Sequence, residues 1–175
     1  FSDVITQRSE HESGVWLSGL DVVAADALTL PGGYYDAPPI APKGLDAARR
    51  YSKIAPDAPH ALHMPSHIFT RVGAWQDSVA GNRRSADVAK KDGNGNEAFH
   101  AADYMVYANL QLGRDQAARQ VLDEFNREVK TNPAIFVGPY AAAAIPARLA
   151  VERSDWAAAS QLPQQRPLRL PPVPV

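Results

Sequence analysis

The stretch His60-Ala-Leu-His63-Met-Pro65-Ser-His67-Ile-Phe-Thr-Arg-Val-Gly73-Ala-Trp75 holds three of the chain's five histidines and sets a spacing that the rest of the chain repeats. Read as one helix over 58–72, a rotation of about 100° per residue places His60, His63 and His67 within an arc of roughly 60°. Three imidazoles then share one stripe. Pro65 lacks a backbone donor, crowds the carbonyl of Ala61 and disfavours the α region at Met64, so the helix is expected either to kink at Pro65 or to begin there. Asp57 is the expected N-cap, Pro59 fits the first turn, and Gly73 supplies the left-handed residue that ends the helix.

Downstream, 74–91 reads as a second helix, Asp92-Gly-Asn-Gly-Asn96 as a turn, and Asn96 as the cap of a third helix running to Leu112. Residues 114–130 carry Ala117, Ala118, Val121, Leu122, Phe125 and Val129 at amphipathic spacing, and Thr131-Asn-Pro133 ends them. Another helix is expected over 139–153, with Pro146 inside it, and one more starts over 156–162. Upstream, 45–55 reads as a short helix that stops before Pro56. Residues 31–44 pack four prolines and three glycines into fourteen positions, too many breakers for anything but a loop. Trp16, Leu20, Val23 and Ala27 give 14–30 one helical face. The last thirteen residues, PQQRPLRLPPVPV, hold five prolines and are expected to be an unstructured tail, with one P-x-x-P at 171–174.

No strand pattern occurs, and the helices pair through short turns that repeat. Met64-Pro65-Ser-His67-Ile68 with Gly73 and Trp75 aligns, 81 residues on, with Ile145-Pro146-Ala-Arg148-Leu149 with Ser154 and Trp156. Gly113 falls midway, so that Gly73, Gly113 and Ser154 are spaced 40 and 41 apart. The unit, a helix–turn–helix with a small residue at its turn and alanines a few residues later, resembles the tetratricopeptide repeat, with a period longer than the usual 34. "PHALHMPSHIFTRVG" followed by "EAFHAADYMVYANLQLGRDQAA" resembles a family of bacterial tetratricopeptide-like proteins with histidines on these helices; the resemblance covers roughly 44–162. It implies an all-α, right-handed α-solenoid of about three helix pairs and no particular activity. Members usually carry a further histidine-rich helix upstream, where this chain has Pro31-Gly-Gly-Tyr-Tyr-Asp36. One helical-repeat domain over 1–162 and a tail over 163–175 are the expected divisions.

Composition narrows the function classes. Eighteen basic and nineteen acidic residues leave a formal charge of −1, which gives no net field to attract a nucleic-acid backbone or an anionic membrane. The longest apolar stretch, 140–150, is short and interrupted by Pro146 and Arg148, so a soluble protein is expected, with cytoplasm and periplasm both open. Without cysteine there are no disulfides and no thiolate ligands, and any metal must be held by nitrogen and oxygen. The chain opens on Phe1 with no secretory pattern near it, so a processed chain or a fragment of a longer array is expected.

The repeat also locates candidate chemistry. Subtracting 40 maps His100 onto His60, Asp103 onto His63 and Tyr107 onto His67. In repeats of this type the first helices line the concave side, so His60, His63, His67, His100, Asp103, Tyr104 and Tyr107 are expected across one groove. The first reading is a scaffold without a cofactor that binds a peptide or protein in that groove. The second is a metal-binding protein or metal-dependent hydrolase, with His63, His67, His100 and Asp103 as ligands to zinc or another divalent ion, Asp103 doubling as a candidate base and Tyr104 or Tyr107 steadying charge. No H-E-x-x-H, G-x-S-x-G or phosphate-cradling glycine loop supports a familiar catalytic pattern. Asp92-Gly-Asn-Gly-Asn96 lacks the glutamate that would close a calcium loop and reads as a plain turn. Arg83-Arg84 and Lys90-Lys91 read as a solvated face, and Arg148 as half of a structural ion pair or an anchor for a carboxylate.

Overall fold

The computed structural model describes residues 35–51, 53 and 55–163; the expected helix at 14–30, the start of the 31–44 loop and the tail from 164 lie outside them. Every regular element among the described residues is a helix. They run α1 (Ala41–Tyr51), α2 (Pro59–His63), α3 (Pro65–Val72), α4 (Trp75–Lys91), α5 (Gly95–Gln111), α6 (Asp115–Glu128), α7 (Val137–Val151) and α8 (Trp156–Ser160). None is long and apolar enough to cross a membrane.

The repeated turns are alike at the level of the backbone. Gly73, Gly113 and Ser154 all take a left-handed conformation, with φ of 74°, 69° and 53°. The next amide reaches back five residues in each copy: Ala74 to the Phe69 carbonyl at 2.8 Å, Arg114 to Asn109 at 2.8 Å and Asp155 to Ala150 at 2.9 Å. This is the hydrogen bond of a left-handed helix C-cap, which glycine adopts without Cβ crowding and serine does not. The 40- and 41-residue spacing is therefore a spacing of equivalent turns.

Local chemistry departs from expectation at four places. Met64 keeps α geometry (φ −52°, ψ −39°) despite preceding Pro65, so the helix continues through a break in its bonding between α2 and α3. Ala58, not Asp57, is the N-cap of α2, and no side chain caps it. Asn94, not Asn96, caps α5 by accepting from the Glu97 amide at 3.2 Å; Asn96 is buried and accepts from the Asn132 amide at 3.0 Å. The first helix starts at Ala41 and ends at Tyr51, so the end of the expected loop is helical, because Pro42 in a first turn costs no hydrogen bond.

Packing is built on small side chains. The main core joins Ala86 and Ala89 of α4, Ala98 to Leu110 of α5, Ala118, Val121 and Phe125 of α6, and Ala141, Ile145 and Leu149 of α7. Phe99 and Phe125 meet edge to face at 5.8 Å. A second cluster joins Ala48 and Tyr51 of α1 to Ile68 and Phe69 of α3. On α4 the buried stripe is Ser78, Gly81, Asn82, Ser85, Ala86 and Ala89. Such short side chains let backbones approach closely. A Cβ on Gly81 would stand 3.4 Å from the Leu62 carbonyl oxygen, and Ser85 donates to the Pro59 carbonyl at 2.6 Å. Thus α2 lies directly on α4, and His63 meets Asn82.

The basic residues of α4 divide. Arg84 and Lys91 are exposed, as a solvated face requires. Arg83 and Lys90 instead bracket Glu124 of α6 at 2.7 Å each and lie over the Phe125 ring at 5.9 and 5.3 Å. That pairing holds the Glu124 carboxyl below its usual range against the cost of its partial burial. At the other end, Phe136, Tyr140, Val151 and Trp156 expose large apolar surfaces.

Candidate metal centre

Three of the expected residues converge. One ring nitrogen from each of His63, His67 and His100 lies within 4.8 Å of the others. His63 and His67 are one helical turn apart across the α2–α3 junction, and His100 comes from α5, its ring centroid 4.2 Å from that of His63.

The hydrogen bonds around the first two histidines fix their tautomers. Asn82 donates through Nδ2 to the Ser78 carbonyl at 2.9 Å, which turns its Oδ1 toward His63 Nδ1, 2.7 Å away. A carbonyl oxygen can only accept, so Nδ1 of His63 carries the proton and Nε2 presents a lone pair. His67 Nδ1 stands 3.1 Å from Asp36 Oδ2, while Asp36 Oδ1 accepts from Arg71 Nε at 2.8 Å. A carboxylate likewise only accepts, so Nδ1 of His67 carries a proton and its Nε2 is the nitrogen turned toward His63. The two Nε2 atoms face each other at 3.2 Å. Two lone pairs at that separation repel unless a proton or a metal ion lies between them. Two imidazole nitrogens bound to one tetrahedral zinc at 2.0–2.1 Å would be about 3.3–3.4 Å apart.

Burial sharpens the arrangement. His63 is buried, and desolvation together with His100 and His67 pushes its pKa well below the ordinary histidine value, so the ring is neutral. His100 is lowered as well, chiefly by burial. Tyr104 stands 3.4–3.5 Å from the His67 ring nitrogens and packs edge-on to His63 at 4.7 Å. Burial, with Asp36 and Asp103, pushes its phenol up to about 12, so it remains a neutral donor.

The remaining expected residues fall outside the triad. His60 lies at the rim, 3.4 Å from Glu97, whose carboxyl it lowers. Asp103, expected as a fourth ligand, instead binds Arg148 with both carboxylate oxygens, to Nε at 2.5 Å and Nη2 at 3.0 Å. A bidentate guanidinium outcompetes the imidazoles for this buried carboxylate. Arg148 also lies over the Tyr107 ring at 5.3 Å, and Tyr107 meets Trp75 edge to face at 5.7 Å.

Beside the triad is a polar cavity of about 240 Å³. Asp36, His67, Thr70 and Arg71 line one side, and Asp103, Tyr104, Tyr107 and Arg148 the other. His67, Tyr107 and Arg148 each stand six residues before one of the left-handed turn residues Gly73, Gly113 and Ser154, and all three reach this one cavity. Sequence reasoning missed Asp36, Asn82, Thr70 and Arg71. Asn82 had a legible sign in the stripe of small and polar residues on α4. Asp36 had none, because it stands in an irregular segment before α1. No family model, curated protein or solved structure matches the chain.

Proposed function

We propose that the protein binds a divalent transition-metal ion through His63, His67 and His100 and presents it to a small molecule in the adjoining cavity. The observation that carries this reading is the pair of Nε2 atoms 3.2 Å apart, each ring held by an acceptor at its Nδ1. Oxygens that accept from the far ring nitrogen, fixing the tautomer and raising ligand basicity, are what metal-binding histidines use. Three neutral nitrogen ligands suit zinc and leave one tetrahedral position for water or a ligand, the arrangement of catalytic rather than structural zinc sites. Lewis-acid chemistry such as hydrolysis is the reaction class this favours, with the neutral Tyr104 hydroxyl as a nearby hydrogen-bond donor.

The scaffold reading draws on the same face, and the equivalent turns support a right-handed tetratricopeptide-like solenoid that presents it. The cavity's dimensions favour a small ligand over an extended peptide.

Elemental analysis and zinc titration of the purified chain test the metal reading. About one tightly held ion per chain is expected, with His67→Gln and His100→Gln each weakening it by at least tenfold and the paired variant abolishing it. A folded chain that takes up no zinc, cobalt or nickel, or whose uptake survives the paired substitution, would reject it. Circular dichroism of each variant separates loss of ligand from loss of fold.

A further inference from the structure

We propose that the molecule admitted to the cavity carries a carboxylate or phosphate group, held by Arg71 and Arg148; this deepens the metal reading and rests on it for the place of the ligand's reactive end, beside His67. Charge balance is the first support. The cavity wall carries two carboxylates, Asp36 and Asp103, and two guanidiniums, Arg71 and Arg148, paired one to one. The pairs cancel, and the three ligating imidazoles are neutral when they bind metal. A divalent ion therefore adds two positive charges, offset in part by the Glu97 carboxylate that acts on His100, facing a partly desolvated space, which favours an anion.

The donors are the second support. Arg71 gives Asp36 only its Nε, and Arg148 gives Asp103 its Nε and Nη2. Among the described residues, neither Nη group of Arg71 nor Nη1 of Arg148 meets a protein acceptor. Each guanidinium is thus anchored along one edge by an aspartate, with the opposite edge available; Arg148 is further held against the face of Tyr107. Oriented forks of this kind suit planar or tetrahedral oxyanions. The cavity volume suits a small anionic group.

The test is calorimetric titration of the zinc-loaded chain with inorganic phosphate and, separately, with succinate. Binding of phosphate alone assigns a phosphate group, of succinate alone a carboxylate, and of both a general oxyanion site. Arg71→Gln is expected to weaken binding about tenfold or more with zinc stoichiometry unchanged, and Arg148→Lys, which keeps the charge beside Asp103 but loses the fork, to act in the same direction. Failure of both anions to bind, or wild-type affinity in both variants, overturns the proposal. Should zinc not load, the metal reading falls by itself. The same titrations on the metal-free chain then decide for the anion: Arg71-dependent binding keeps it, and no binding ends it.

Discussion

Pro65 and Pro146 each stand eight residues before a left-handed turn, yet the side chains beside them do different chemistry. Near Pro65, positions 63 and 67 are histidines whose Nε2 atoms meet at 3.2 Å. Near Pro146, the corresponding positions are Ala144 and Arg148, and the arginine forms a two-toothed pair with Asp103. Equal spacing from two like turns sets where these residues stand, and His67 and Arg148 reach one cavity from two helices. What each does there depends on the acceptor opposite. An amide oxygen and a carboxylate at the imidazole Nδ1 atoms direct lone pairs inward, whereas a carboxylate fully engaged by a guanidinium directs nothing onward.

The sharpest way to break this contrast is at its ionic side. Arg148→Ala leaves Asp103, only 4% exposed, without its partner. Removing one member of a buried pair costs about 3–5 kcal/mol, and the one-third exposure of Arg148 puts the expected loss near the lower end, about 3 kcal/mol in urea unfolding. Adding Asp103→Asn should recover part of it. A single-variant loss under about 0.5 kcal/mol would mean that the pair behaves like an ordinary surface contact.

On the imidazole side, Asn82→Ala removes the acceptor that orients His63. The orphaned Nδ1–H should cost about 1–3 kcal/mol of stability, and zinc affinity should fall about 10–100-fold because the tautomer is no longer fixed. Unchanged zinc binding in a folded Asn82→Ala protein would detach the Asn82 contact from metal binding.

Protonation offers a gentler probe of the metal-free chain. Burial lowers the pKa of His63 and of His100 in the folded state, so the unfolded chain binds more protons below its histidine value near 6.5. Stability should be level above that pH and decline as pH falls from about 6.5 toward the lowered folded values. Melting temperature measured from pH 7.5 to 5 checks this, and the decline should be shallower in His100→Gln. A rise in melting temperature on acidification would contradict the assigned burial.

The smallest effects belong to the turns themselves. Ser154 holds a left-handed conformation that Gly73 adopts without strain. Ser154→Gly should therefore stabilise by up to about 1 kcal/mol, and Gly73→Ser should destabilise by about 1 kcal/mol. Equal and near-zero shifts at both sites would mean that the two turns are not under comparable constraint.

Much of the helical outline was readable because turn residues and apolar spacing act locally. Gly73 and Gly113 ended their helices where expected, and the helices from 74 onward fell within a few residues of their expected limits. Caps were less legible: Asn94 and Asn96 are equally suited to cap α5, and only the approach of Asn132 draws Asn96 away. The candidate site was half legible. His63, His67 and His100 could be placed on facing helices by rotation and by the repeat, but Asp103 could not be removed from the ligand set without knowing that Arg148 would reach it.

By itself, the sequence determined that the described residues form helices joined by short turns, with histidines at helical spacing, since that follows from spacing within one or two turns and from residues that only certain backbone angles accept. Tertiary structure alone decided which nitrogen of His63 and of His67 is turned inward, because the deciding atoms, Asn82 Oδ1 and Asp36 Oδ2, lie 19 and 31 residues away from the rings they orient. Proton position depends on the neighbour in space, and no local periodicity encodes that neighbour.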